Sequence, residues 1–158
     1  MQGNAFRALK ILHTALVTGV VMLVAVIFLI KSLQEEKMVD ESFENVLQAV
    51  AAVVSISCLL AGFTIFKRKL AEARNFAGSG EERFDKYRGA CLIWWAMLDG
   101  PAILAAISYL LTGNVVFIIL ALFHLGLLFV FMPRKDNIVT LLNLTTEDVQ
   151  KLEGTAGA

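Results

Sequence analysis

Four long apolar runs constrain the fold of this chain more than any other feature of its sequence. They cover about residues 8–30, 45–66, 90–112 and 115–132. A helix that crosses a bilayer needs ~20 mostly apolar residues, with a range of about 17–25, and each run meets that length. Hydrophobic residues make up 58% of the chain and charged residues 18%, which is a membrane rather than a soluble composition. The sequence therefore predicts an all-α fold, with a four-helix transmembrane bundle in residues 1–132.

The distribution of lysine and arginine predicts the orientation of this bundle. Twelve of these residues lie at or before the start of the first run, between the second and third runs, or after the fourth. Only Lys31 and Lys37 lie in the other loops. Because cytoplasmic loops carry the excess of positive charge, both termini and the middle loop are predicted to be cytoplasmic, in a multi-pass protein of the cell inner (cytoplasmic) membrane. The basic middle loop suits anchoring at lipid headgroups, or else docking of a cytoplasmic partner.

Residues 133–158 are predicted to form a cytoplasmic tail with short amphipathic helices. Pro133 ends the fourth run, since proline cannot continue the helical hydrogen bonds. The apolar residues spaced through 138–144 suit a helix that lies on the membrane surface. Thr145 can cap a last helix and Gly154 can end it, and the final four residues are expected to fray.

The loop between the first and second runs is acidic. Its carboxylates are Glu35, Glu36, Asp40, Glu41 and Glu44. A solvated connection is the ordinary interpretation of such a loop, and a vestibule that attracts cations is the alternative.

Other classes of function find no support in the sequence. The formal net charge is zero and no basic arm or stripe occurs, so no nucleic acid partner is predicted. Cys58 and Cys91 lie in apolar runs and suit small apolar fillers, and no Cys/His spacing for a metal is present. Without a hydrolase triad, a phosphate loop or paired carboxylates, neither an enzyme nor a cofactor is predicted. The expected partners are the lipid bilayer and either a second copy of the chain or other membrane subunits.

Asp99 is the main functional clue, because it is the only acidic or basic side chain in the run at 90–112. A carboxylate at the centre of a membrane helix costs roughly 2.5–3.5 kcal/mol on insertion scales and commonly marks an ion, proton or ligand site. Gly100 and Pro101 follow it, and proline removes one backbone hydrogen bond, so the sequence predicts a helix break beside the carboxylate. A structural polar contact at Asp99 and a simple kink at Pro101 are the alternatives.

Polar side chains of the other runs fall at a similar depth. Counted from the predicted cytoplasmic ends, Asp99, His124, Thr18 and Ser57 lie at roughly 12–15 Å, at 1.5 Å per residue. Polar groups in lipid seek each other, so these four are predicted to form a proton- or ion-binding cluster. His124 is expected to bond either to Asp99 or to a backbone carbonyl, and His13 is expected to lie near the interface.

Small residues mark the helix faces that are expected to pack, because they let backbones approach closely. Such stripes are Ala51, Ser55, Cys58 and Gly62 on the second run, Ala102 and Ala106 on the third, and Ala15 and Gly19 on the first. Trp94 and Trp95 are interpreted as part of an aromatic belt at the membrane interface.

The first and third runs are similar to each other. When they are aligned with an offset of 81, five positions are identical, Thr18 falls on Asp99 and Phe28 falls on Tyr109. Parallel repeats occur in some transporters, and this similarity predicts a duplicated helical hairpin. Chance similarity between apolar helices is the alternative.

Residues 97–110 read Met-Leu-Asp-Gly-Pro-Ala-Ile-Leu-Ala-Ala-Ile-Ser-Tyr-Leu. This segment resembles the proton-binding helix of rotary ATP synthase c subunits, which implies proton binding at Asp99. The resemblance covers little more than this segment, since the glycine-repeat first helix and the short polar loop of that family are absent. The whole chain also resembles small four-span bacterial membrane proteins of unassigned activity, which implies a fold and no chemistry.

These features together predict an integral membrane protein that acts as a proton- or ion-handling subunit. Asp99 is the titrating group in this hypothesis, and His124, Thr18 and Ser57 tune it. A non-catalytic scaffold or assembly partner of a larger membrane complex is the alternative. A haem- or quinone-linked redox protein, with His13 and His124 as axial ligands, is the third hypothesis.

Overall fold

The computed structural model describes residues 4–34 and 38–154, and within them the chain forms six α-helices and no strand. The helices are α1 Ala5–Leu33, α2 Glu41–Arg74, α3 Gly80–Thr112, α4 Val115–Val130, α5 Lys135–Leu142 and α6 Thr146–Glu153. The all-α prediction is confirmed. Glu35 and Glu36 of the acidic loop, and the final four residues, lie outside the described residues.

Local side chains determine where most of these helices begin. At the starts of α1, α2 and α4, a capping side chain accepts a hydrogen bond from a backbone N–H of the first turn. These capping residues are Asn4, Asp40 and Asn114. Ser79 and Thr145 go further and form capping boxes with the acidic residue three positions on. Each box satisfies two N–H groups that a helix start otherwise leaves unpaired. The predicted start of the last helix at Thr145 is therefore confirmed.

Two glycines end helices by adopting left-handed backbone. Gly113 has φ 68° at the end of α3, and Gly154 has φ 71° at the end of α6. Residues with a Cβ atom rarely adopt such angles, so glycine is the residue that suits these positions. The predicted end of the last helix at Gly154 is confirmed.

Three helices, α1, α2 and α3, are long and apolar enough to cross a membrane, so the chain has the helices of a membrane protein. Helix α4 has 16 residues, or about 24 Å at 1.5 Å per residue. That is shorter than the ~30 Å hydrocarbon core of a bilayer. It meets the requirement only together with α5, and the two helices are bent by 69° at the break between them. A complete fourth span over 115–132 therefore stays a prediction.

Helix α3 is the centre of the packing, because α1, α2 and α4 all lie against it. α1 runs in the same direction as α3, because their ring contacts follow the same order along both helices. The centroid distances are 5.2 Å for Phe6–Phe84, 4.7 Å for His13–Trp95 and 6.3 Å for Phe28–Tyr109. α2 and α4 run in the opposite direction. Phe66 in the second half of α2 and Phe131, which directly follows α4, both contact Trp94, at centroid distances of 6.1 and 5.2 Å.

Gly100 and Pro101 do not break α3, contrary to the prediction. The helix runs without interruption from Gly80 to Thr112, with Pro101 buried inside it. Proline removes only the one hydrogen bond that its own nitrogen would donate. The neighbouring Leu98 and Ala102 are fully buried, so packing on both sides of the missing bond keeps the helix continuous.

The two halves of the predicted duplicated hairpin pack differently. α3 and α4 lie along each other, whereas α1 and α2 have no comparable contact and both rest on α3. Two copies of one folded hairpin would repeat the same packing, so the structure does not support the duplication. The first and third runs, which are similar in sequence, share only one structural feature of a repeat, since α1 and α3 run in the same direction.

Trp94 and Trp95 lie in the interior rather than in an interfacial belt. Their side chains are 3% and 1% exposed, and their rings contact rings of α1, α2 and α4. Adjacent residues point about 100° apart around a helix, so two neighbours are both buried only where a helix is covered on several sides. The interfacial interpretation is wrong because α3 has three neighbours.

Arg83, near the start of α3, binds the segment that contains α5 and α6 through hydrogen bonds and an ion pair. Its Nη1 donates hydrogen bonds to the carbonyl oxygens of Leu142 at 2.9 Å and Asn143 at 3.2 Å. Its Nη2 lies 3.3 Å from Asp148 Oδ2. The same carboxylate oxygen accepts a hydrogen bond from the Thr145 N–H at 2.9 Å. One carboxylate therefore both caps α6 and holds it against α3.

We expect α6 to lose its docking at acid pH. The hydrogen bond from the Thr145 backbone, assisted by the Arg83 charge, holds the pKa of Asp148 below its ordinary value of 3.8. A carboxyl with a depressed folded pKa adds stability that is complete above its unfolded pKa and is lost as the pH falls through its folded pKa. Hydrogen-exchange protection of residues 146–153 should therefore decline below about pH 4.

The Asp148→Asn variant should show this weaker protection already at neutral pH, with little further loss on acidification. Asp136→Asn, which changes an exposed carboxylate of α5, is the matched control and should behave as the unmodified chain does. Equal protection of α6 at pH 7 in all three proteins would contradict the role assigned to Asp148.

Candidate intramembrane polar sites

Nearly all lysines and arginines lie at one end of the long helices, here called the basic end. It comprises the start of α1, the end of α2, the start of α3 and the segment that contains α5 and α6. Among the residues that the structure describes, Lys31 is the one cation at the opposite end. Asp40 caps α2 there by accepting a hydrogen bond from a backbone N–H at 2.8 Å. Glu44 accepts one from Asn114 Nδ2 at 2.6 Å, so two carboxylates of the predicted vestibule are engaged with the protein itself.

Asp99 lies near the middle of the apolar part of α3. It is 11 positions from Arg88 and 13 from Thr112, or about 16 and 20 Å at 1.5 Å per residue. Its side chain is partly buried, and Oδ1 is buried with no hydrogen-bond partner within residues 4–34 and 38–154. A buried polar atom without a partner is rare and costs about 1–3 kcal/mol. Trp94 Nε1 of the same helix is likewise buried without a partner in the described residues, and Oδ1 belongs to the acidic group of the two.

The carboxyl of Asp99 sits at the edge of the buried face of α3. Leu98 and Ala102 are fully buried on one side of it, whereas Ala96 and Gly100 are exposed on the other. The side chain thus borders the outer surface of the packed helices rather than their centre. A bare carboxylate at the centre of a membrane helix costs a few kcal/mol, and no group among the described residues hydrogen-bonds to Oδ1.

Thr18 and Ser57 do not converge on an interior cluster with Asp99. Both are exposed, and Thr18 lies on the side of α1 that borders Phe129 of α4. The buried stripe of α1 passes through Val17, and the next residue points about 100° away from it. The predicted interior position of the two hydroxyls is therefore wrong, while their role in binding an ion stays a prediction.

His124 is fully buried, but it does not bond to Asp99. Its Nδ1 lies 3.0 Å from the carbonyl oxygen of Leu120 in its own helix, which is the second of the two partners expected for it. Nε2 is buried and has no partner in the described part of the chain. Because a carbonyl only accepts hydrogen bonds, Nδ1 carries the proton, and in the neutral ring Nε2 is an acceptor without a donor.

His13 also lies in the interior of the packed helices, while its predicted depth near the membrane interface stays a prediction. It is 2% exposed, its Nε2 lies 3.0 Å from the Leu128 carbonyl oxygen, and its ring packs against Trp95 at 4.7 Å. α3 and α4 therefore cover a residue whose depth alone suggests a boundary position. Ligation of a haem iron through this nitrogen would require breaking its bond to α4.

Ser55, rather than Ser57, is the hydroxyl that α2 turns inward. It is 4% exposed, and its Oγ is buried with no partner among the residues described. The small-residue stripe on the second run predicts a packing face, and burial of Ala51, Ser55 and Gly62 confirms it. The spacing of small residues therefore pointed to Ser55, whereas depth along the helix did not distinguish it from Ser57.

The other two stripes of small residues differ in outcome. Ala102 and Ala106 of α3 are fully buried, as predicted. Ala15 and Gly19 of α1 are exposed, so that stripe does not pack within the chain. A stripe predicts that close approach is possible, and it does not decide whether a neighbouring helix uses it.

Within the described ranges, no group of three or more His, Cys, Asp or Glu side chains could hold a metal ion. No family model, no curated protein and no solved structure matches the chain.

Proposed function

We propose that this chain is an integral membrane subunit that binds a proton or a small cation at Asp99. The observation that carries the proposal is the buried, unpartnered Oδ1 near the middle of α3. Neither α3 beyond Arg88 nor α4 contains a lysine or an arginine, so no basic side chain of these two helices neutralises the carboxylate. Neutralisation then falls to a species that can leave, which is the requirement for proton or ion handling.

A proton is the simpler of the two occupants for a single chain. Metal cations such as Ca²⁺ and Mg²⁺ require several oxygen ligands. Thr18 and Ser57 are both exposed, so they bring no hydroxyl oxygen into the buried side of the site. A cation would need ligands from water or from another subunit, whereas a proton needs the carboxyl alone.

The proposal includes the orientation of the protein in a bacterial inner membrane. With the basic end in the cytoplasm, the charge distribution obeys the positive-inside rule. Four spans with both termini cytoplasmic follow if α4 and the turn after it complete the fourth crossing. The 69° bend between α4 and α5 would then bring α5 towards the plane of the membrane surface.

Labelling with a membrane-soluble carbodiimide tests proton binding, because this reagent attacks protonated carboxyls in apolar surroundings. We expect Asp99 to be modified, with the yield falling as the pH rises, and peptide mass spectrometry locates the adduct. If a cation is the occupant, added Na⁺ or Li⁺ should protect Asp99 at constant pH. The dependence of the adduct yield on pH, compared with its dependence on added salt, therefore distinguishes a bound proton from a bound cation.

Two variants control this measurement. Asp99→Asn should abolish the adduct, whereas Asp85→Asn, which removes an exposed carboxylate at the basic end, should leave the adduct unchanged. An adduct on Asp99 that is insensitive to both pH and salt, or no adduct in the folded protein at any pH, would contradict the proposal.

Assembly with another membrane subunit is the second candidate function. The specific observation in its favour is the position of Asp99 at the outer edge of α3, beside the exposed Ala96 and Gly100. Small residues let a further helix approach closely enough for a hydrogen bond. In that case the intact complex should protect Asp99 from the carbodiimide, and disassembly in detergent should expose it.

A further inference from the structure

A cavity of about 350 Å³ lies at the basic end, beside the bend between α4 and α5. The last part of α2, the first half of α3 and the segment 130–141 form its walls. Its volume is near the lower limit of the range for small-molecule sites. The cavity is elongated, since its α3 wall extends from Tyr87 to Trp95, or about 12 Å along the helix at 1.5 Å per residue. A narrow chain therefore suits it.

The two ends of this cavity differ in polarity. Towards the middle of the long helices its walls are apolar, and they include Phe66, Trp94 and Val130. Towards the basic end it is lined by Arg134 and Asn137, and Arg134 is the one charged side chain among its lining residues. Val130 is 77% exposed, so the wall at the end of α4 borders the lipid-facing surface. An occupant with an apolar chain and an anionic head matches this distribution.

Arg134 is available to bind such an anion. The neighbouring Lys135 is paired with Glu153 at 2.5 Å, whereas Arg134 has no ion pair with any residue that the structure describes. Helix α5 also begins without a side-chain cap, so the N–H groups of its first turn and the positive end of its dipole favour an anion there. Asp136, the acidic residue of that turn, is exposed and does not line the cavity.

We propose that this cavity binds one acyl chain of an anionic phospholipid, whose phosphate lies at Arg134 and the start of α5. The apolar walls replace the contacts that the chain has with other lipids, so the chain fits without being selective. The phosphate is the selective element, because a guanidinium group binds phosphate through paired hydrogen bonds, and basic pockets between membrane helices bind anionic headgroups. A zwitterionic lipid carries its own cation and gains less from Arg134. The inference rests on the proposed membrane orientation and not on Asp99, so the carbodiimide test and the lipid test can fail separately.

Tryptophan fluorescence tests this inference, because the chain has two tryptophans, Trp94 and Trp95, and both line the cavity. Bromine on an acyl chain quenches an indole only at near contact. Both side chains are at most 3% exposed, so lipid outside the cavity should quench them weakly. In phosphatidylcholine nanodiscs, dibrominated phosphatidylglycerol should give saturable quenching at a mole fraction at which dibrominated phosphatidylcholine quenches little.

Three variants assign the effect to Arg134. Arg134→Gln should raise the mole fraction of phosphatidylglycerol at half-maximal quenching roughly 5-fold, the contribution of one basic residue near a membrane surface. Arg134→Lys keeps the charge but loses the paired hydrogen bonds, so it should lie between Arg134→Gln and the unmodified chain. Arg74→Gln is the matched control, since it removes an exposed arginine of the basic end that does not line the cavity, and it should leave the quenching curve unchanged.

Competition separates a bound lipid from a bound phosphate. Phosphatidylglycerol without bromine should restore the fluorescence, because it competes for the same cavity. Glycerol 3-phosphate at millimolar concentration should not restore it, since this compound lacks the chain that occupies the apolar walls. Displacement by glycerol 3-phosphate would assign the site to a free phosphate and overturn the proposal.

Three further results would also overturn it. Equal quenching by the two brominated lipids at every mole fraction would show that the cavity accepts any acyl chain. No quenching by either lipid would show that the cavity is closed to lipid. An equal effect of Arg134→Gln and Arg74→Gln would attribute the preference to the general charge of the basic end.

Discussion

Replacing Trp95 with alanine is expected to lower the free energy of unfolding by about 3–5 kcal/mol, the range for truncating a buried Trp or Phe. Trp95 is 1% exposed and lies on α3, against which the other three long helices pack. Its indole contacts the ring of His13 at 4.7 Å. Loss of the indole leaves a cavity on the α1 side of α3 and removes the packing that holds His13 against α4.

Reversible unfolding in mixed micelles, followed by circular dichroism, measures this change. Leu92→Ala is the matched control, because Leu92 lies on the same helix but is 37% exposed. It should lower the free energy of unfolding far less, since an exposed side chain of a membrane helix exchanges protein contacts for equally apolar lipid. Equal effects of the two substitutions would show that the face of α3 that carries Trp95 contributes no more to the packing than the exposed face that carries Leu92.

Replacing Asp99 with leucine is expected to raise the free energy of unfolding by roughly 2–3 kcal/mol, because it removes a buried oxygen without a partner and a group that membranes disfavour. The substitution should at the same time abolish the carbodiimide adduct and any proton- or ion-dependent activity. A gain in stability with a loss of function is the expected behaviour of a residue kept for its chemistry.

Thr18→Leu provides the comparison for this measurement. Thr18 lies at a similar depth on α1 but is exposed and uncharged, so its replacement should change the free energy of unfolding much less. If Asp99 instead makes a structural polar contact within the chain, Asp99→Leu should lower the free energy of unfolding. A drop in stability of the isolated chain would therefore favour an internal contact that the described residues do not include.

Local features of the fold could be read directly from the sequence. The apolar runs correspond to α1, α2, α3 and α4, and the capping residue Thr145 and the terminating Gly154 act where the sequence predicts them. These features depend on interactions within a few positions along the chain. The position of Asp99 far from both ends of α3 follows for the same reason, since depth along a helix is a count of residues.

The rotation of each helix about its axis could not be read in this way. Apolar residues surround most of the length of these helices, so hydrophobic periodicity does not distinguish an inward face from a face towards lipid. Ser55 and Ser57 are two positions apart and equally plausible by depth, yet only Ser55 is buried. The interior cluster predicted for Thr18, Ser57 and His124 around Asp99 does not form, because the rotation of each helix was not known from the sequence.

The sequence by itself determined that the chain is helical, that its first three apolar runs are long enough for a membrane, and where along its helix each polar residue lies. Contacts with α3 decided which polar atoms are enclosed: Oδ1 of Asp99 at its edge, and Ser55 and His124 beside α4. The physical reason is that length and depth are properties of one helix, whereas burial of one face depends on the helices packed against it.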